Sequence, residues 1–180
     1  MKKLGMVLLL MLLIGFAAGC ISNSNTSTQS QTTSTGPEYV VINGTKIYLN
    51  QIHFYMYGLK TCPHCRAMKE EIPKVYGNDS LTYYELMNNE TNMKLFETQY
   101  TYTGISGVPA IAIAYGGNLT AIIEGEYNVS ATPKIIYTSM ENRAVVLFVG
   151  GKAYLLKNQT IISTLKAIYI EHRLPENETG

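Results

Sequence analysis

Apolar residues recur with two different periods along the chain from residue 38 onward. Short runs in which apolar positions alternate or follow one another predict β-strands, over residues 39–42, 45–49, 52–57, 81–87, 111–115, 119–124, 144–149 and 152–156. Asn-Gly or Gly-Gly pairs separate three couples of neighbouring runs, and such pairs favour tight hairpin turns. We therefore expect three hairpins and two further strands.

Apolar residues three or four positions apart predict helices between these strands, the first beginning at Pro63 and the others covering residues 90–102, 130–143 and 160–171. Proline in a first helical turn loses no hydrogen bond, but Pro73 is expected to end or kink the first helix. Asn88 or Asn89 is the expected cap of the second. The residues expected to face the core are Cys65, Met68, Ile72 and Val75 or Tyr76, then Met93, Leu95, Phe96 and Tyr100, and finally Ile161, Leu165, Ile168 and Tyr169. This order of elements is typical of an α/β domain.

The N-terminus has the pattern of a targeting segment. Two lysines precede an apolar run over residues 6–16, which is too short to span a membrane comfortably, and small residues then lead into Cys20. Residues 1–19 followed by Cys20 resemble the prokaryotic lipoprotein signal, in which the cysteine becomes the first residue and carries lipid, although Ala17 replaces the commoner Leu. An ordinary signal or an uncleaved anchor remains the alternative.

Residues 20–37 combine this lipid-acceptor cysteine with a stretch of Ser, Thr, Asn and Gln. Such a composition buries too little apolar surface to offset the entropy of ordering. We expect a flexible stalk there, which would hold a folded domain over residues 38–173 off a membrane surface. Residues 174–180 are expected to form a flexible tail.

Eight Asn-x-Ser/Thr sequons occur, beginning at Asn25, Asn43, Asn78, Asn89, Asn118, Asn128, Asn158 and Asn177. The content of Asn, Ser and Thr would give about two by chance. The excess indicates an externally exposed glycoprotein, with a bias toward polar residues as the alternative.

Charge argues against a nucleic-acid partner. The formal net charge is +1, and two of the 14 basic residues lie in the targeting segment, whereas there are 13 acidic residues. The remaining chain is close to neutral, without a basic patch interleaved with aromatic residues.

Cys62 and Cys65 form a Cys-x-x-Cys motif that follows a predicted strand and opens a predicted helix. A thiol at this place lies at the positive end of the helix dipole, which favours the thiolate, and a protonated His64 would add to the effect. Cys65 lies one turn further in and is expected to be more buried. Cys62 is then the expected nucleophile, and Cys65 the thiol that resolves a mixed disulfide.

The cysteine pair has two alternative interpretations. Half of a zinc site is one, but structural zinc usually takes a second Cys/His pair, and His53, His64 and His172 show no paired spacing. A purely structural disulfide is the other, although so short a loop gains little stabilisation from closure. We expect no metal, and we expect structural roles for His53 and His172.

The chain has a β-run, Cys62-Pro63-His64-Cys65 at the start of a helix, and Val108-Pro109 some 43 residues beyond the second cysteine. In these features it resembles the thioredoxin superfamily, and within it the thiol-disulfide oxidoreductases of the cell envelope. The resemblance implies a thioredoxin-like α/β fold with a central mixed sheet flanked by helices. The N-terminal hairpin, and a helix plus hairpin near residues 130–156, would be additions to it. The second addition could shape a substrate groove.

The resemblance also implies a site and a reaction. The Val108–Pro109 bond would be cis and lie opposite the dithiol, and Val108 would offer its backbone to a bound peptide. Pro63 and His64 would tune the dithiol toward donating disulfides. No cofactor is implied.

The implied protein is a membrane-tethered enzyme at the extracytoplasmic face, held by lipid on Cys20. Its partners would be exported proteins with thiols or disulfides, and a membrane redox protein that recycles it. Two alternatives stay open: an envelope thiol reductase fed by a membrane electron carrier, and a redox-inert thioredoxin-like binding module or chaperone.

The chain departs from its relatives at one position. Many of them have a buried Asp or Glu six residues before the first cysteine, where this chain has Met56. Cys65 would then need water, Glu70 or Glu85 as its proton acceptor.

Overall fold

A computed structural model describes residues 38–175. The predicted signal segment, Cys20 and the rest of the stalk lie outside the described residues, as does the tail from residue 176. The predictions for those segments therefore stay predictions. Among residues 38–175, no helix combines the length and the apolar character that crossing a membrane requires.

The described chain contains the eight predicted strands and four predicted α-helices, in the predicted order. Strands β1 to β8 are Tyr39–Ile42, Thr45–Tyr48, Ile52–Gly58, Leu81–Glu85, Ala110–Tyr115, Asn118–Glu124, Val145–Val149 and Lys152–Leu156. Helices α1 to α4 are Pro63–Tyr76, Glu90–Thr103, Thr132–Asn142 and Gln159–Tyr169. Local period and turn chemistry were therefore sufficient to place the elements.

Six strands form one mixed sheet in the order β4-β3-β5-β6-β7-β8. β3 runs parallel to β4 and β6 runs parallel to β7, whereas the other neighbours are antiparallel. β1 and β2 form a separate two-stranded antiparallel sheet that packs against α3. The expectation of an α/β fold with a mixed sheet and an N-terminal hairpin is confirmed. The segment near residues 130–156 supplies α3 and the last two strands.

Helices cover both faces of the large sheet. Alternate residues of a strand point to opposite faces, so the apolar residues of one strand can pack against helices on either side. Phe54 and Met56 of β3 belong to a core cluster that includes residues of α1 and α3. Tyr57 belongs to the other cluster, which includes residues of α2 and α4. β3 is thus buried on both sides, and its carboxyl end holds the start of α1 in a fixed place.

Pro73 does not end α1, which continues to Tyr76 and stops before Gly77. Proline cannot donate to the carbonyl of Lys69, but Lys69 is exposed, so water can take the missing donor's place. Of the two alternatives at the end of this helix, Tyr76 is half-buried and Val75 is exposed.

The predicted apolar side of α2 is partly wrong. Leu95 and Phe96 are buried as expected, but Met93 and Tyr100 are 38% and 54% exposed. Their places in the core are taken by three polar residues, Asn92, Gln99 and Thr103. In α4, Leu165, Ile168 and Tyr169 are buried as expected, and Ile161 is half-buried.

The buried polar residues of α2 are tolerated because each has a hydrogen-bond partner. The Asn92 amide donates to the Glu85 carbonyl at 2.7 Å, and the Gln99 amide donates to the Ile105 carbonyl at 2.8 Å. The Thr103 hydroxyl donates to Gln99 Oε1 at 2.6 Å. These contacts fix the loops that follow β4 and α2.

Candidate dithiol active site

The dithiol lies where β3 gives way to α1. Cys62 is the N-cap of α1, and its Sγ accepts a hydrogen bond from the Cys65 N–H at 3.3 Å. Pro63 follows in the first turn, where its missing donor costs nothing. Both thiols are free. The Cys62 sulfur is therefore the acceptor for the amide end of a helix, a setting that favours negative charge on it.

The two cysteines differ in their access to solvent. Cys62 is half-buried, whereas Cys65 is completely buried. Burial, followed by the hydrogen bond with Cys62, raises the pKa of Cys65 to about 12. Cys62 can thus meet an external thiol or disulfide, while Cys65 stays a protonated thiol behind it.

Val108 lies beside the Cys62 sulfur, as the sequence resemblance implied. The register of β3 and β5 pairs Tyr57 with Ala110, so the residues after β3 meet those before β5 at one edge of the sheet. The distance from Cys62 Sγ to the Val108 carbonyl oxygen is 3.7 Å, and the Val108–Pro109 peptide bond is cis. Among residues 38–175, the Val108 N–H has no hydrogen-bond acceptor. This N–H is thus free to pair with an incoming chain, whereas the Val108 carbonyl accepts a weak hydrogen bond from Cys62 Sγ.

His64 is exposed and contacts a residue that sequence reasoning missed. Its Nδ1 lies 2.7 Å from Glu126 Oε2, in the loop between β6 and α3. The two residues are 62 positions apart, and no local signal in the sequence points to this pair. This contact connects the first turn of α1 to the loop after β6.

Met56, which stands where many of the proteins named in the resemblance have a buried carboxylate, is fully buried in an apolar environment. Tyr83 of β4 pairs with Met56 across the parallel ladder and shares its face of the sheet. A Cβ atom at Gly58 would lie 3.1 Å from Cys65 Sγ and 3.2 Å from Tyr83 Oη, so the glycine leaves room for both groups. Sequence reasoning missed Tyr83 because the contact depends on strand register.

Tyr83 connects the neighbourhood of Cys65 to a surface carboxylate. Its hydroxyl donates to Glu85 Oε2 at 3.2 Å, and burial, then the charge of Glu85, raises the tyrosine pKa. Partial burial acts to raise the pKa of Glu85, but hydrogen bonds from the Met87 and Lys60 N–H groups outweigh it and lower that pKa. Glu85 is therefore ionised at neutral pH.

Glu70 is not part of this arrangement. It is exposed, and its carboxylate lies 3.9 Å from the Lys74 ammonium, one turn along the solvent side of α1. Of the two carboxylates suggested from the sequence, only Glu85 has a charge that bears on Cys65.

His53 and His172 lie in other parts of the fold. His53 Nε2 is 2.8 Å from the Thr82 hydroxyl, and His172 Nε2 is 2.8 Å from Asn92 Oδ1. Burial lowers the pKa of both imidazoles, which agrees with structural roles. In the part of the chain that the structure describes, no three His, Cys, Asp or Glu side chains come together in a group that could hold a metal ion.

Comparison with known proteins adds no assignment: no family model, no curated protein and no solved structure matches this chain. The chemistry of the site therefore rests on its geometry.

Proposed function

We propose that this protein is a thiol-disulfide oxidoreductase with a thioredoxin-like fold, which exchanges disulfides with exported proteins through Cys62 and Cys65. One observation carries the proposal. The accessible sulfur of Cys62 caps a helix and accepts the N–H of the buried Cys65, close to the unpaired N–H of Val108. The mixed sheet, with α1 after β3 and Pro109 before β5, supports the fold assignment.

In the oxidising direction, a substrate thiolate attacks Cys62 Sγ of the enzyme disulfide. A substrate–Cys62 bond forms, the Cys62–Cys65 bond breaks, and Cys65 leaves as a thiolate that takes up a proton. A second substrate thiolate then attacks the substrate sulfur of the mixed disulfide and releases Cys62. The substrate loses two electrons and forms its disulfide, and the enzyme becomes the dithiol. A membrane redox protein is proposed to accept these two electrons and two protons.

The place of Cys62 at the amide end of α1 supports this direction. The helix dipole favours negative charge on that sulfur, and a stabilised thiolate would make the reduced enzyme the preferred form. We propose that Pro63 and His64 tune the reduction potential of the dithiol. Val108 and Pro109 are proposed to bind the substrate backbone. Tyr83 and Glu85 are the proposed route for the proton of Cys65.

Substitution of single cysteines tests the proposal in the full chain. Cys62→Ser should abolish turnover of a dithiol or disulfide peptide. Cys65→Ser should retain the first attack and accumulate mixed disulfides, visible as adducts on non-reducing gels. Cys20→Ser is the matched control, because it removes the remaining cysteine and leaves the dithiol intact. It should keep full turnover and release the protein from the membrane fraction.

If the Cys62→Ser variant kept its activity, the enzyme proposal would be wrong and a redox-inert binding module would take its place. The direction is a separate measurement. Alkylation of thiols before cell lysis should find the pair mainly oxidised if it donates disulfides, and mainly reduced if it is fed by an electron carrier.

A further inference from the structure

The side chain of Glu124 connects two loops that are far apart in the chain. Its Oε1 accepts the N–H groups of Ser106 at 3.2 Å and Gly107 at 2.8 Å. Its Oε2 accepts the N–H of Gly150 at 3.2 Å. Ser106 and Gly107 belong to the loop before Pro109, and Gly150 belongs to the turn between β7 and β8. One carboxylate thus ties the loop beside the dithiol to the last hairpin of the sheet.

These hydrogen bonds hold Val108 from one side, and the backbone holds it from the other. Gly107, immediately before Val108, donates to Glu124. Pro109, immediately after it, accepts the N–H of Gly125 at 2.7 Å. The Val108 carbonyl, which lies 3.7 Å from Cys62 Sγ, is therefore fixed on both flanks.

The packing around Glu124 leaves little room at position 107. A Cβ atom there would lie 3.1 Å from Glu124 Oε1, which is closer than ordinary van der Waals contact. The glycine thus lets the carboxylate approach the loop closely. Among the described residues, Glu124 takes part in no salt bridge, so its side-chain partners there are backbone amides.

The carboxylate is ionised in the folded protein. Partial burial acts to raise its pKa, but the hydrogen bonds from Gly107, Gly150 and Ser106 outweigh burial and lower it. Hydrogen bonds to an ionised acceptor are stronger than those between neutral groups. Three of them on one side chain make a firm connection between the two loops.

We propose that Glu124 is a positioning residue for disulfide exchange at Cys62: it holds the Val108 peptide in place for the substrate backbone and couples it to the β7–β8 turn. The inference rests on the function proposed above. It gives the α3–β7–β8 segment a role at the substrate-binding loop, although β8 is four strands away from β3 in the sheet.

Three substitutions test this role at the level of turnover. Glu124→Ala removes both oxygens and with them all three hydrogen bonds, Glu124→Gln keeps one oxygen but loses the charge, and Glu97→Gln is the control, because Glu97 is exposed on α2. We expect Glu124→Ala to raise the KM for a disulfide peptide about tenfold, because a displaced Val108 would lose about one backbone hydrogen bond to the substrate, with kcat changed less than about twofold. Glu124→Gln should lie between Glu124→Ala and the wild type. The rate at which iodoacetamide alkylates Cys62 should be unchanged in all three.

A purely structural role would give a different result. The variants would lose thermal stability, and the KM of the fraction that remains folded would equal that of the wild type. An unchanged KM in Glu124→Ala therefore overturns the inference.

Amide hydrogen exchange tests the connection without relying on activity. In the wild-type protein, the amides of Ser106, Gly107 and Gly150 should exchange slowly, and in Glu124→Ala about tenfold faster or more. The amide of Leu86, which donates to the Gly58 carbonyl at 2.9 Å, should be unaffected. Equal exchange in both proteins would show that Glu124 does not hold these loops. If exchange changes as expected but the wild type has no turnover, the proposed function fails and the positioning role for catalysis fails with it, while the connection itself stands.

Discussion

Cys62 and Cys65 carry the same thiol group but differ in their access to solvent. The two cysteines are three positions apart, and the Cys65 N–H donates to the Cys62 sulfur, yet only the Cys62 thiol can be reached from outside. Burial disfavours the charged form of a thiol and so raises its pKa. The same difference in access sets the sequence of the two proposed steps, because the accessible sulfur of Cys62 must react before the buried sulfur of Cys65.

This asymmetry predicts the pH dependence of alkylation. Because burial raises the pKa of Cys65 to about 12, its unreactive thiol form persists as pH rises through neutrality and gives way only near that value. At neutral pH, iodoacetamide should modify Cys62 and leave Cys65 unmodified in the folded protein. Tandem mass spectrometry of the tryptic peptide covering residues 61–66 separates the two sites. Unfolding in urea should make both react, and equal labelling without urea would contradict the prediction.

Tyr83 is expected to affect the resolving step alone. Tyr83→Phe keeps the ring, which carries the Lys69 ammonium 3.9 Å from its centroid, and removes the hydroxyl that bonds to Glu85. Resolution of a mixed disulfide should slow by about tenfold or more if that hydroxyl passes the proton of Cys65, while the first attack by Cys62 is unchanged. Rapid-mixing kinetics with a disulfide substrate separates the two phases.

Tyr84→Phe is the matched control for this measurement, because Tyr84 is on the same strand but its hydroxyl donates to the Tyr169 carbonyl on the other face. Equal rates of resolution in Tyr83→Phe and the wild type would remove Tyr83 from the mechanism.

In helix α2, local sequence signals were sufficient to predict the cap but not the buried face. Asn89 caps α2 by accepting the Asn92 N–H at 2.9 Å, as one of the two expected candidates. The buried face of the same helix was predicted only in part, since its polar residues bond to backbone groups outside the helix. Capping depends on residues within one turn, whereas the buried face depends on what packs against it.

Asn158 is predicted to stabilise α4 as its cap. Its Oδ1 accepts the N–H groups of Thr160 and Ile161 at 3.0 and 3.2 Å. Asn158→Ala should lower the free energy of unfolding by about 1 kcal/mol, measured by urea denaturation of protein from a host that does not glycosylate. Asn158→Asp should restore most of that loss. Thr160→Ala also removes the sequon but keeps the cap, so a loss as large as that of Asn158→Ala would contradict the assignment.

At the scale of the molecule, the sheet separates the dithiol from several sequons. Six of the eight sequon asparagines lie among the described residues, and all six are exposed. Asn78 precedes β4, Asn118 begins β6 and Asn158 follows β8. The strand directions place these three at the end of the sheet opposite to the dithiol. Glycans there would leave Cys62 open to a protein substrate.

We therefore predict glycans on Asn78, Asn118 and Asn158 in protein isolated from its native cells. Mass spectrometry of the peptides should show added mass on these residues, absent from the same chain made in a host without N-glycosylation. Both preparations should reduce a disulfide peptide at the same rate, because the glycans lie away from the dithiol. If asparagine were unmodified at all three sites, a bias toward polar residues would be the better explanation for the number of sequons.

Most of the architecture was predictable from sequence because its signals are local. Apolar period and turn dipeptides act over a few residues, and they predicted the eight described strands and the four α-helices, but not the three short 3-10 helices. The Cys-x-x-Cys motif at the start of α1 was equally visible.

The surroundings of the dithiol were not predictable in this way. Glu126 meets His64 across 62 positions, Tyr83 reaches the neighbourhood of Cys65 through strand register, and Glu124 joins loops on either side of it in sequence. Each contact exists only once the strands are paired. The sequence thus identified the cysteine pair, and the folded sheet brought the polar side chains into its surroundings, because only strand pairing joins residues so far apart in the chain.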